Sequence, residues 1–158
     1  MANTQSMCTS FMGELLTATH NFGASPIRAA STADTFKAAL YLTSATVNAA
    51  TTVYSSTGEV TGAGYSAGGI AVTNATPPTA TNSSATAGVA FFTPSASLTY
   101  TSVTLTTAFD CALIYNSTQS NKAVSVHTFG SQTITAGTFS LTMPSNTTST
   151  ALLRLATT

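Results

Sequence analysis

The sequence predicts a mainly β protein: an antiparallel β-sandwich or barrel, jelly-roll-like, led by one short N-terminal helix. Three observations predict it. From residue 35 to 155 apolar side chains recur at every second position, the period of a half-buried strand. The strand-like runs are short, and turn residues separate them at roughly 8–12-residue spacing, as in sandwiches and barrels. Before residue 20 the period differs: Met7, Phe11 and Leu15 fall at i, i+4 and i+8, and Cys8, Met12 and Leu16 repeat the spacing one residue along, which is a helical stripe.

The elements follow in order. The helix covers residues 5–19, with Ser6 placed to cap it. It holds Gly13, Thr17 and Thr19, so it is marginal alone and must dock on something. Residues 21–34 carry turn residues and Pro26 and read as a connector. Residues 1–34 are thus an arm, and residues 35–158 the β-sandwich domain, one domain overall. In FKAALYLT, Phe36, Ala38, Leu40 and Leu42 alternate with Lys37, Ala39, Tyr41 and Thr43. Further strands are expected at 51–55, 69–73, 89–93 and 98–107. In SLTYTSVTLTT, Leu98 and Tyr100 lie on one face and Val103 and Leu105 on the other. That switch predicts a bulge or a change of covering partner. The last strands are expected at 111–116, 122–129, 137–143 and 151–155.

Residues 109–130, FDCALIYNSTQSNKAVSVHTFG, gather an Asp, a Cys, a Tyr, a Lys and a His, the inventory of many active sites. Their pattern is simpler. Both arms alternate, and NSTQSN between them is polar and turn-rich, so the stretch is a β-hairpin. Cys111 has no basic neighbour in sequence to make it a thiolate. His127 sits among Ser and Thr and reads as a surface or interface histidine rather than a general base.

Two loops stand out. STGEVTGAGYSAGG, 56–69, holds five glycines, and TNATPPTATNSSATAG, 73–88, holds Pro77 and Pro78. The glycine spacing is that of a phosphate loop, yet no Lys-Ser/Thr follows it. Fixing five glycines is entropically costly. The loop is therefore expected to be ordered by another chain, with Tyr54, Tyr65 and Ile70 as interface anchors and Tyr65 in a partner's pocket. The alternative is that it folds back over its own sheet.

Composition narrows the function. Charged residues are 5% of the 158, with four basic and four acidic side chains and no net charge, where a typical domain has about 25% charged. Ser and Thr fill the deficit. At 43% apolar, with eight Phe and five Tyr, the chain is too hydrophobic for disorder. It cannot neutralise several phosphates, which excludes nucleic acid as a partner. No membrane span or basic membrane-surface helix is present, and no signal peptide opens the sequence. Synthesis in a cytoplasm then leaves Cys8 and Cys111 as buried free thiols. No cofactor is implied. A metal site would have to draw on His20, His127, Cys8, Cys111, Glu14, Asp34, Glu59 and Asp110, none paired at ligand spacing. A nucleophile triad or a carboxylate pair is no better signalled. The expectation is a non-enzymatic module.

Several segments resemble a family of small virion structural proteins of tailed bacteriophages: CTSFMGELL, ADTFKAALY, YSSTGEVTGAGYSAGG, ALIYNSTQSNKAVSVHTFG, TAGTFSLTMP and ALLRLA. They cover most of the chain in the same order, and ALIYN, a turn and KAVSV form the most specific piece. The resemblance implies a virion component without enzymatic activity. Its favoured role is a capsid decoration or cement protein on the capsid surface, with the major capsid protein and copies of itself (a dimer or trimer) as partners. The alternatives are a tail, neck or fibre component, or a host-surface-binding β module.

Overall fold

The structure is a computed structural model, and it describes residues 3–8, 11, 15, 19–20, 22, 33–74, 78–81 and 89–156. Among them run eight strands: β1 (Ser6–Met7), β2 (Phe36–Leu42), β3 (Ile70–Val72), β4 (Thr79–Ala80), β5 (Val89–Phe92), β6 (Leu98–Asn116), β7 (Lys122–Leu141) and β8 (Leu153–Ala156). They form two antiparallel sheets, one in the order β1-β7-β6-β2-β3 and one in the order β4-β5-β8. The chain is mainly β, as its alternation predicts.

The β6–β7 hairpin is the spine. Its turn is the NSTQSN segment, where Ser120 and Asn121 take positive φ values of 51° and 58° and the Lys122 N–H donates to the Gln119 carbonyl at 3.1 Å. Both arms run far beyond the two short strands expected for each. The sequence breaks alternation near 108–110 and 130–136, and those breaks are bulges inside continuous strands rather than turns between separate ones. Tyr100 faces Phe139 and Val103 faces Gly137, three steps against two. Ser102, at φ 54°, takes up the extra residue. The parity change brings Leu98, Tyr100, Val103 and Leu105 into the core together, so the face switch in the sequence does mark a bulge. Val103 to Leu105 then faces Gly137 to Ile134, two steps against three, and Ala136 at φ 46° compensates on β7.

Two other expectations need correction. Residues 51–55 form no strand; Val53 makes an isolated bridge to Lys122. The N-terminal helix is not seen as an element. Its expected first turn is β1, with Ser6 opposite Val126 and Met7 opposite Ser125, and the Cys8 N–H continues the pairing to the Val124 carbonyl at 3.1 Å. A marginal helix start loses to an open strand edge that offers hydrogen bonds. Most of residues 9–18, and of the connector and the 73–88 loop, lie outside the described residues.

Leu40, Leu98, Leu105, Phe109, Leu113, Val124 and Val126 are almost fully buried, each worth roughly 1.5–3 kcal/mol of transfer free energy. The arm belongs to this core. Cys8, Phe11 and Phe22 are buried in it. Phe22 stacks on Phe36 of the larger sheet at 4.4 Å and meets Phe92 of the smaller at 5.1 Å, so one arm residue links both sheets.

The bulge at Ala136 carries a positive-φ penalty that glycine would not. Ala136→Gly should therefore raise the urea midpoint, by about 0.5–1 kcal/mol in unfolding free energy. A midpoint unchanged or lowered would contradict a strained bulge at this residue.

Candidate functional site

Where β3 ends, the edge of β2 would lie open from Tyr41 onward. Residues 58–60 close it. Glu59 bridges Tyr41, the Leu42 N–H donates to Gly58 at 2.9 Å, and the Val60 N–H donates to Leu40 at 3.0 Å. This places the Glu59 carboxylate in the interior, 7% exposed. A buried charge costs several kcal/mol unless hydrogen bonds surround it, and here they do. Tyr54 Oη donates to Oε2 at 2.6 Å. Tyr65 Oη and the Gly68 N–H donate to Oε1 at 2.6 and 2.8 Å.

The other three of the chain's five tyrosines ring this centre. Tyr115 Oη donates to the Gly68 carbonyl at 2.8 Å, and its ring stacks on Tyr54 at 4.6 Å. Tyr100 Oη donates to the Ala38 carbonyl at 2.7 Å, and its ring stacks on Tyr65 at 5.9 Å. Tyr41 donates to the Ser55 carbonyl. Tyr65 does double duty, since its hydroxyl oxygen also accepts the Leu40 N–H at 3.0 Å.

Burial raises all five phenols above their ordinary value of 10.0. For Tyr54 and Tyr65, the hydrogen bond given to Glu59 raises them further. A phenol that donates to a carboxylate must keep its proton.

The glycines make this approach possible. A Cβ on Gly69 (φ 73°) would lie 1.7 Å from the Ala38 carbonyl oxygen, and one on Gly64 (φ 78°) would lie 2.2 Å from the Ser102 carbonyl oxygen. The loop rests on β6 as well, where the Thr104 N–H donates to Ala63 at 2.8 Å. The chain itself thus supplies contacts to the 58–69 loop, as in the alternative that it folds back over its own sheet.

A second polar cluster sits at the hairpin turn. Asn116 is fully buried. Its Oδ1 accepts the Thr118 and Gln119 N–H groups, both at 3.1 Å. That fixes its amide, whose Nδ2 donates to Asp34 Oδ2 at 2.8 Å and lies 3.1 Å from His20 Nδ1. Gln119 Nε2 donates to Asp34 Oδ1 at 3.0 Å. Arm, connector and turn are pinned at one point.

The residues singled out for interfaces or chemistry fall as follows. Tyr54, Tyr65 and Ile70 are half-buried and packed against the core. Both phenols point inward, and Ile70 lies in β3 opposite Ala38. Cys8 and Cys111 are buried and neither is in a disulfide, as expected. Burial, then the nearby Asp110, pushes the Cys111 thiol up to about 12. His127, expected at a surface or an interface, is half-buried; its Nε2 lies 2.8 Å from Ser125 Oγ, and burial pulls its pKa down to about 4. Ser125, on the same face of β7, is buried, so the polar-looking face is at least partly covered near the hairpin turn.

Among the described residues, no group of three or more His, Cys, Asp and Glu could hold a metal ion, and no helix is long and apolar enough to cross a membrane. No protein-family model, curated protein or solved structure matches the chain.

The sequence does not single out Glu59. It lies in a glycine-rich stretch that looks solvated. The available signal was five tyrosines in a chain with only four acids.

Glu59→Ala strands two phenol donors and a backbone donor and should cost about 3–5 kcal/mol in urea unfolding. Tyr65→Phe loses the donor to Glu59 and the acceptor for Leu40, and should cost about 1–3 kcal/mol. Wild-type stability for both in the isolated chain would refute an internal role for the cluster.

The raised phenols also fix an alkaline limit. The folded state holds these protons more tightly than the unfolded chain. Stability is therefore fully present below the ordinary tyrosine value of 10.0 and falls as pH rises above it. Absorbance at 295 nm should show no tyrosine ionising until the protein unfolds, and then all five together. Ionisation of several near pH 10 in the folded state would contradict the network.

Proposed function

We propose that this protein is a non-enzymatic structural component of a tailed-bacteriophage virion, most specifically a decoration or cement protein on the capsid surface. Its partners in this reading are the major capsid protein and further copies of itself. The observation that carries the reading is that, among the described residues, groups a reaction would recruit are engaged inside the fold. The Glu59 carboxylate is saturated by three donors, and Asp34 is bound to Asn116 and Gln119. The Cys111 thiol is far from ionising at neutral pH, and His127 stays neutral there. The resemblance of its segments, read from the sequence, to those of phage virion structural proteins points the same way.

The fold suits the role. We place the two sheets face to face as a sandwich, with Phe22 between them, and the outer surface as neutral and rich in hydroxyls. Such a module packs repeatedly on a shell without like-charge repulsion. It stabilises the shell by mass action because it binds assembled subunits and not free ones.

The test is to purify particles and count copies by quantitative mass spectrometry. Decoration requires on the order of hundreds of copies, repeated over a symmetric shell. Particles stripped of the protein should lose heat resistance and regain it when the purified protein is added back. A count of a few tens, confined to tail or neck fractions, would replace the cement reading with that of a tail or neck component.

A further inference from the structure

The outer edge of β7 is the longest unpaired edge among the described strands. β1 pairs with it at Val126 and Ser125, the Cys8 N–H extends this to Val124, and from Phe129 to Leu141 no described strand pairs with it. The Ala136 bulge divides this length. There the chain takes positive φ, and its N–H turns inward to Thr104 Oγ1 at 3.1 Å.

Beyond the bulge, pairing with β6 is regular. Gly137, Phe139, Ser140 and Leu141 face Val103, Tyr100, Thr99 and Leu98. The run is held firmly from one side: Phe139 is buried and packs edge-on against Phe109 at 5.1 Å. Thr138 and Ser140 are exposed on the other side, and Ser140 Oγ meets Thr99 Oγ1 at 2.7 Å. The usual protections of an edge are charge, proline, a bulge or a cover. This run has none within it. No Asp, Glu, Lys or Arg occurs anywhere from 123 to 153, and the first proline after β7 begins is Pro144.

We infer that Gly137–Leu141 is a self-pairing edge, through which two copies join antiparallel and continue the larger sheet across a twofold axis. The occupant is a second copy because an antiparallel edge is its own complement. Reversed on itself, each row of N–H and C=O groups meets its match. With Phe139 on the axis, Thr138 of each copy lies opposite Ser140 of the other, a hydroxyl pair like the Thr99–Ser140 pair already in the sheet. A partner selected by charge would find no ionic side chain here to read. The Ala136 bulge stops pairing from spreading along β7, which closes the contact as a dimer instead of a ribbon. This gives the self-association proposed above a surface, and it is tested on the isolated protein, apart from any particle.

Sedimentation equilibrium of the wild type up to about 100 µM, which detects contacts of micromolar strength or tighter, should show a dimer. The pair Thr138→Lys and Ser140→Lys in one chain sets lysines opposite each other twice and should weaken dimerisation at least tenfold, while at dilutions where both are monomeric its melting temperature should match that of wild type. The corresponding double Glu variant should behave alike, and mixing the two should restore a dimer containing one of each. Should either variant fail to fold, amide exchange of the wild type decides: Gly137–Leu141 should become more protected as concentration rises. A wild type that stays monomeric, a Lys variant that dimerises as well as wild type, mixed variants that stay apart, or protection independent of concentration would each overturn the proposal.

Discussion

A carboxylate buried in a β-rich interior admits few arrangements. Glu59 must find donors from within the chain, because leaving it buried without them costs several kcal/mol. The donors it finds determine how the long loops lie. Tyr54 approaches from before it, Tyr65 and Gly68 from after it, and Tyr115 and Tyr100 of β6 hold Gly68 and β2 in register with them. The loop could adopt many other shapes, since it is rich in glycine. Each would strand the charge or expose apolar rings. Hydrophobic contact is non-directional and cannot make this selection alone; three charge-assisted hydrogen bonds at fixed positions can. The glycines then have a plain role. They let backbone come close enough to β2 and β6 for the donors to reach.

The same logic runs at the other end of the hairpin with a neutral group at its centre. Asn116 reads the turn with its oxygen and the arm with its nitrogen. The aromatic wall of Phe11, His20, Phe22 and Phe36 then closes over the arm, with centroid separations from 4.4 to 6.3 Å. Packing supplies most of the free energy, and the two polar centres supply the register that packing leaves degenerate.

This division explains what could be read from the sequence. Three local signals hold. The alternation in FKAALYL is β2, the turn-rich NSTQSN is the hairpin tip, and the face switch between Tyr100 and Val103 is the Ser102 bulge. The strand boundaries of β6 and β7 were illegible because a bulge and a turn break alternation in the same way. Only the partner strand, distant in sequence, tells them apart. Ser6 and Met7 look helical by spacing, yet β7 offers them a place. The link between Glu59 and Tyr65 is hidden for the same reason. A loop's cost of ordering can be estimated from its glycines, but whether its own chain repays that cost depends on side chains at positions 41, 54, 100 and 115.

Charge placement connects the fold to its proposed setting. Of the four acids, Glu14 lies outside the described residues and the other three are all engaged. Glu59 and Asp34 are buried with donors around them, and Asp110 accepts from the Asn3 amide. The acids that the structure describes are therefore spent on positioning, and with no net charge little is left to keep copies apart in solution. A free protein with such a surface tends to associate. A protein whose working state is a packed array has no need to resist that tendency, provided its open strand edges pair in a closed way. The bulges in the β6–β7 hairpin restrict where an edge is flat enough to pair. The features that shape the core, one parity change at Ser102 and its compensation at Ala136, thereby also set how much of the edge a neighbour can reach.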